Sequence, residues 1–148
     1  MPKEAPARAD VGVPPEDVLR SLRIPFVRKA ILVHEGRTRE VFTIDLGLSG
    51  VFIEQPEPLP VGDATEITLP WSGSEIPVKA RCRVAWWHPR EKPLKSKALP
   101  AGAGLQFVEM TEADRVRVRE QLVEHCRQHP RVRHFLRHWP REEQGDDP

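Results

Sequence analysis

Alternation of apolar and polar residues is the dominant pattern along this chain. It is clearest in residues 76–87, where apolar side chains occupy one side of the predicted strand and basic side chains the other. The apolar positions are Val78, Ala80, Cys82, Val84 and Trp86, and the basic ones are Lys79, Arg81 and Arg83. A period of two residues predicts a half-buried β-strand. Shorter runs bounded by Gly and Pro complete the set of predicted strands, at residues 26–34, 39–44, 51–53, 64–69, 76–87 and 101–110.

The pattern changes to helical spacing after Met110. Thr111 is a good helix N-cap, and acidic residues after it suit the positive end of a helix dipole. The apolar stripe of this helix, which is predicted to end before Pro130, consists of Val118, Leu122 and Cys126, widened by Val116 and Val123. Six short strands followed by a helix predict an all-β domain. We expect a small six-stranded antiparallel β-barrel with the C-terminal helix packed on it.

A glycine-containing hexapeptide, residues 45–50, separates the second and third predicted strands. Its sequence, Asp-Leu-Gly-Leu-Ser-Gly, predicts a sharp turn, because glycine reaches positive φ without a steric penalty. Asp45 at its entry is expected to hold the turn by a hydrogen bond to the backbone two residues on. Backbone N–H groups exposed by such a turn suit an anionic ligand. A tight β-turn without any ligand is the alternative.

The three tryptophans before residue 88 are expected in the core or at the mouth of the barrel. They are Trp71, Trp86 and Trp87. Trp86 shares the inward-facing side of its strand with the other apolar residues. Because side chains alternate along a strand, its neighbour Trp87 is predicted to be exposed, where it would suit a contact surface.

Composition limits the compartment and the class of partner. Of 148 residues, 39% are hydrophobic and 30% charged, and the net charge of +1 gives the whole chain no bulk attraction for polyanions. Two cysteines outside any Cys-x-x-Cys pair argue against a disulfide framework. No signal-peptide pattern opens the chain, and no stretch approaches the roughly 20 apolar residues of a membrane span. We therefore expect a cytoplasmic protein.

The chain divides into three predicted segments. Residues 1–17, rich in Pro, Ala and charge, are expected to be disordered, and residues 18–129 to form the barrel and its helix. Residues 130–148 are expected to form a basic amphipathic tail helix with a disordered end. The apolar face of the tail helix is Val132, Phe135, Leu136 and Trp139. This face either packs back on the barrel or docks a protein partner, while the basic outer face could meet a nucleic acid or a membrane surface.

Neither a catalytic nor a metal site is predicted. The chain has no P-loop, no G-x-S-x-G and no Cys/His nucleophile pair, and Asp45 has no evident acid or base partner. Two histidine pairs with a spacing of four residues occur late in the chain, at His125 and His129 and at His134 and His138. Pro130 separates the two pairs, and structural zinc requires four well-placed ligands. We therefore expect no enzyme activity and no bound metal.

Three motifs in order along the chain resemble the PilZ domain, a bacterial module that binds cyclic di-GMP. Arg23-Ile24-Pro25 resembles the second arginine of the family's R-x-x-x-R linker and its proline-led first strand. Residues 45–50 resemble the D/N-x-S-x-x-G turn, and residues 102–107, Gly-Ala-Gly-Leu-Gln-Phe, resemble the late G-x-G-[apolar]-x-F strand. The resemblance covers residues 19–127 and implies a Greek-key barrel, cyclic di-GMP as the ligand with no further cofactor, and a role in motility or surface behaviour.

The ligand-binding residues that the resemblance implies depart from the family pattern at two positions. The set is Arg20, Arg23, Asp45, Gly47, Ser49 and Gly50. Leu19 occupies the position of the first linker arginine, with Arg20 beside it, and Gly47 occupies the position of the family's serine. Since arginine pairs bidentately with phosphate and stacks on purines, a displaced arginine weakens the expected binding.

Three functional hypotheses follow. In the first, the chain is a regulatory or adaptor domain that senses cyclic di-GMP and acts in bacterial signalling through protein contacts. In the second, it is an interaction module of the same fold that binds no nucleotide and whose partner is an unidentified protein. The third, which the near-neutral net charge disfavours, is a nucleic-acid binder that uses the basic tail.

Overall fold

An antiparallel barrel forms the body of the computed structural model, which describes residues 14–88 and 101–129. In chain order its elements are α1 (Glu16–Ser21), β1 (Arg23–Pro25), β2 (Lys29–His34), β3 (Arg37–Gly47), β4 (Gly50–Glu54), β5 (Ala64–Leu69), β6 (Val78–His88), β7 (Gly102–Glu109) and α2 (Glu112–Gln128). The order of strands around the barrel is β3-β2-β5-β6-β7-β4, and pairing of β4 with β3 closes it. The predicted fold class, six closed antiparallel strands with a C-terminal helix, is confirmed.

The segment before the barrel is more ordered than predicted. Where the sequence indicated a linker, α1 begins at Glu16 and buries Val18 and Leu19, and β1 then adds an extra strand to the edge of β3. A helix of 6 residues is too short to show a helical period in the sequence. The helix takes in the last two residues of the segment predicted to be disordered.

The two hairpins at the ends of β3 turn in different ways. At the first, Glu35 and Gly36 have φ of 54° and 75°, the positive values that a two-residue type I′ turn requires. At the second, β3 continues through Asp45 to Gly47, so the turn is reduced to Leu48 and Ser49. Positive φ among the described glycines occurs at Gly36, Gly62 and Gly73 only, and the prediction that the glycines of residues 45–50 adopt it is wrong.

A β-bulge in β6 reverses the predicted positions of two tryptophans. Val84 pairs with Leu105 and Trp86 with Gly104, so Ala85 is an extra residue in the strand. Beyond this residue the side chain that faces inward is that of Trp87, which packs against the core. The side chain of Trp86 faces outward and is 44% exposed. The prediction of an inward Trp86 and an exposed Trp87 is therefore wrong, because it assumed an uninterrupted alternation.

Helix α2 packs on the barrel through the predicted stripe. Val118, Leu122 and Cys126 are buried, whereas Val116, expected to widen the stripe, is 41% exposed. The Thr111 hydroxyl accepts a hydrogen bond from the backbone N–H of Asp114, as a helix N-cap does. No helix within the described ranges is long and apolar enough to cross a membrane. The predicted tail helix, with Val132, Phe135, Leu136 and Trp139, lies outside the described residues.

Candidate functional site

The predicted ligand residues Arg23 and Asp45 are in direct contact on the outer face of the barrel. Arg23 Nε and Nη2 donate hydrogen bonds of 3.0 and 2.6 Å to one oxygen, Oδ1, of Asp45. Pairing of β1 with β3 causes the contact, because it sets Arg23 opposite Gly47 and Pro25 opposite Asp45. The two side chains are 40% and 29% exposed, so the pair is open to solvent and to a ligand.

Gly47 leaves little space for a side chain, because β1 packs over it. A Cβ atom on Gly47 would lie 3.1 Å from Arg23 Nη1 and 3.1 Å from the Leu22 carbonyl oxygen. The serine of the family pattern would crowd both groups. Glycine at this position thus suits the close approach between the linker and β3.

The remaining turn residues are fixed by β7. Gly50 pairs with Gln106, and a Cβ atom on Gly50 would lie 2.1 Å from the Leu105 carbonyl oxygen. The carbonyl of Ser49 accepts a hydrogen bond of 2.8 Å from the N–H of Phe107, while the Ser49 residue itself is exposed. Gly47, Ser49 and Gly50 therefore lie at one end of the same surface as Arg23 and Asp45.

Arg20 is not brought into this contact. Its side chain is 72% exposed and its Nε lies 3.8 Å from Glu16, which also accepts two hydrogen bonds, of 3.0 and 2.6 Å, from Arg119 of α2. The hydrogen bond from Arg119 lowers the pKa of the Glu16 carboxyl. Arg20 is thus part of an ion-pair cluster between α1 and α2.

Leu19, at the position of the family's first linker arginine, is fully buried in the core. Its side chain anchors α1 to the barrel, so no arginine could occupy this site in the same conformation. The departure from the family motif is a change from a ligand group to a core residue.

Aromatic residues lie beside the ion pair on the same outer face, and sequence reasoning missed them. Four residues on four adjacent strands are paired in a row across the sheet: Asp45, Phe52, Gly104 and Trp86. The rings of Phe52 and Trp86 stack with centroids 5.1 Å apart at an interplanar angle of 16°. The one available clue in the sequence was the Gly-x-Gly of β7, because Gly104 leaves the space that the indole fills.

One side-chain group among the described residues has the composition of a metal site. His34 Nε2 lies 2.8 Å from Asp63 Oδ2, and Glu35 adds a third potential ligand, with all three ligand atoms within 4.8 Å of one another. The contact with Asp63 satisfies the buried imidazole of His34, which accounts for the pair as a structural link between β2 and the loop before β5.

The predicted histidine pair of α2 and its C-cap, His125 and His129, is in contact: the two rings stack with centroids 4.1 Å apart. Burial is the larger cause that lowers the pKa of His125, and the charge of His129 is the smaller one.

Comparison with known structures identifies barrels to which this chain is similar. The inhibitor of motility MotI/DgrA of Bacillus subtilis superposes with a TM-score of 0.59 at 12% identity, covering 73% of this chain and 50% of that one. PlzA of Borreliella burgdorferi in complex with c-di-GMP gives 0.46 at 12% identity over 73% of this chain and 37% of its own. The PilZ domain of CeSA from a cellulose-synthesizing bacterium gives 0.46 at 18% identity, covering 68% of this chain and 97% of that domain.

This chain spans half the length of MotI/DgrA and about a third of PlzA, and the likeness to MotI/DgrA establishes the fold. A search of curated proteins found no match. The family model described as PilZ domain matches residues 19–134, which include all of the barrel and α2. The chain belongs to the PilZ domain family.

Proposed function

We propose that this PilZ domain is a regulatory module that binds cyclic di-GMP on the outer face of its barrel, at Arg23 and Asp45. The observation that carries the proposal is their contact: the residues that match the linker and turn motifs meet on an exposed surface. Arg23 uses Nε and Nη2 on Asp45, and its guanidinium still offers Nη1 toward an incoming phosphate.

The chemistry of the pair suits a guanine nucleotide. The guanidinium donates to phosphate oxygens in a planar, charge-assisted geometry. The carboxylate of Asp45 accepts hydrogen bonds, and guanine presents N–H donors on its base edge. Ser49, which is exposed, would let the ligand approach the backbone of the turn between Gly47 and Gly50. Arg20 would exchange Glu16 for a phosphate, and this exchange would connect the ligand to α2 through Arg119.

Titration calorimetry with cyclic di-GMP tests the proposal. We expect saturable heat with a Kd of about tens of micromolar or tighter. Arg23→Ala should weaken binding by roughly 10- to 150-fold, because a hydrogen bond to a charged group contributes about 1.5–3 kcal/mol. Arg37→Ala is the matched control, since this exposed arginine lies at the opposite end of β3 and should leave the Kd unchanged. A folded wild-type protein that gives no heat would refute the proposal.

A second candidate function is a ligand-independent interaction module. The burial of Leu19 and the packing of the linker over Gly47 favour it, because contacts within the chain hold the linker on the barrel. In this case the partner protein would bind to the predicted apolar face of the tail, which consists of Val132, Phe135, Leu136 and Trp139. Deleting residues 130–148 should abolish capture of the partner while the barrel stays folded, and capture that survives the deletion would exclude the tail.

The setting we propose is bacterial signalling that controls motility or surface behaviour, in the cytoplasm, with the domain acting as an adaptor. Its fold is shared with an inhibitor of motility. Cys82 is a free and buried cysteine, as suits a reducing compartment. PilZ domains are regulatory and binding domains, and we propose no reaction for this one.

The remaining alternative is that the basic tail binds DNA or RNA. In that case the protein would retain the nucleic acid in a filter-binding assay, and the retention would fall as the salt concentration rises.

A further inference from the structure

Trp86 has an unusual position for a tryptophan in a small barrel. Its side chain is outward and 44% exposed, although tryptophans are highly buried on average. The ring is nevertheless held in one orientation by its contacts. It stacks on Phe52, which is 1% exposed, and meets the imidazole of His88 edge to face with centroids 6.3 Å apart.

Three features of the sequence combine to present this ring. The bulge at Ala85 turns Trp86 outward, and Gly104 leaves the space beneath it, since a Cβ atom there would lie 2.1 Å from the indole Nε1. Phe52 on β4 stacks on the ring in a nearly parallel orientation. The indole thus rests on the backbone of β7 and on Phe52, with His88 beside it, and Trp86 remains 44% exposed to solvent.

The ring lies on the same face as the Arg23–Asp45 pair. Asp45 pairs with Phe52, Phe52 with Gly104 and Gly104 with Trp86, each on adjacent strands. Neighbouring strands are about 4.8 Å apart, and the indole reaches back over Gly104, so roughly 10 Å separates Asp45 from the ring. A cation and an exposed aromatic ring are therefore held within the reach of one nucleotide, with the buried Phe52 between them.

We propose that Trp86 is a base-stacking subsite, on which one guanine of cyclic di-GMP lies while a phosphate meets Arg23. The inference rests on the proposed function and extends it to residues outside the linker and turn motifs. Every base presents a π-face, and stacking on an aromatic side chain changes affinity by about 5- to 150-fold per base. Phe52 acts through Trp86 as a positioning residue, because it is too buried to touch the ligand.

Substitution of Trp86 tests the subsite by calorimetry with cyclic di-GMP. Trp86→Leu keeps an apolar cover over Gly104 and Phe52 but removes the aromatic plane, and should weaken binding by at least about fivefold. Trp86→Phe keeps a ring and should restore most of the affinity. Trp71→Leu removes a tryptophan from the loop beside α2 and should leave the Kd unchanged.

Each outcome separates this inference from the proposal on which it rests. A wild-type protein that binds while Trp86→Leu binds equally well overturns the subsite and leaves the nucleotide site standing. Equal losses in Trp86→Leu and Trp86→Phe, with both folded by circular dichroism, also overturn stacking. A wild-type protein that does not bind overturns both.

Chemical protection gives a second readout that needs no variant. N-bromosuccinimide oxidises exposed indoles, and mass spectrometry of peptides assigns the site of oxidation. Saturating cyclic di-GMP should slow oxidation of Trp86 several-fold and leave that of Trp71 unchanged. Equal oxidation of Trp86 with and without bound ligand would contradict the proposal.

Discussion

Arg23 donates two hydrogen bonds to the same carboxylate oxygen of Asp45, although the two residues are 22 positions apart in the chain. The contact connects an extra strand, β1, to the strand that leads into the turn at Leu48 and Ser49. It therefore couples the position of the linker to the candidate ligand surface. A phosphate that drew Arg23 away would weaken a contact between β1 and the barrel.

The Arg23–Asp45 pair should contribute modestly to stability. A double-mutant cycle with Arg23→Ala and Asp45→Ala should give a coupling of about 0.5–1 kcal/mol in urea unfolding, because the pair is partly exposed. The coupling should fall in about 1 M salt. The matched control is Arg81–Glu109, at 3.0 Å with side chains 70% and 68% exposed, whose coupling should be smaller. Equal couplings would show that the linker pair has no special geometry.

Restoring the family's arginine at position 19 should disrupt the fold rather than improve the site. Leu19 is 0% exposed, and Leu19→Arg places an unpaired charge there, so we expect a loss of at least about 3 kcal/mol of unfolding free energy. Arg20→Leu, one position away on the exposed side of α1, should change it by about 0.5 kcal/mol or less. If Leu19→Arg is as stable as the wild type, α1 is not anchored by this residue.

Local features of the fold were predictable from the sequence where interactions between residues close together in the chain determine them. The N-cap at Thr111 and the end of α2 before Pro130 both depend on residues close together in the chain. The alternation in β6 held as far as Val84, so the strand and its buried side were assigned correctly up to that point.

Features set by pairing between distant strands were not predictable in this way. The outward position of Trp86 depends on one extra residue against β7, which no period in β6 reveals. The contact of Arg23 with Asp45 depends on the register of β1 on β3, and only family resemblance put both residues in one set. Helix α1 owes its order to the burial of Val18 and Leu19, a tertiary effect.

Gly104→Ala should destabilise the barrel through Trp86. The three heavy atoms nearest to the added Cβ, at 2.1–2.7 Å, all belong to the indole, so the ring must move off Phe52 at a cost of about 1–3 kcal/mol. In a Trp86→Ala background the same substitution should cost much less. Gly50→Ala is the contrasting case, because its Cβ would meet the backbone carbonyl of Leu105, and removing Trp86 should not relieve it. Additive costs for Gly104→Ala and Trp86→Ala would contradict the assigned contact.

Cys82 should be unreactive as long as the barrel is folded. Burial raises the pKa of its thiol to about 12, and the neighbouring Thr65 lowers it by a smaller amount. At pH 8 its thiolate fraction is roughly a thousandfold below that of an ordinary cysteine with a pKa of about 8.5. Iodoacetamide labelling followed by peptide mass spectrometry should find Cys82 unmodified in native protein and fully modified in guanidinium chloride. Ser49→Cys, at the exposed turn, provides a reactive control in the same molecule, and native labelling of Cys82 at a comparable rate would mean that β6 opens readily.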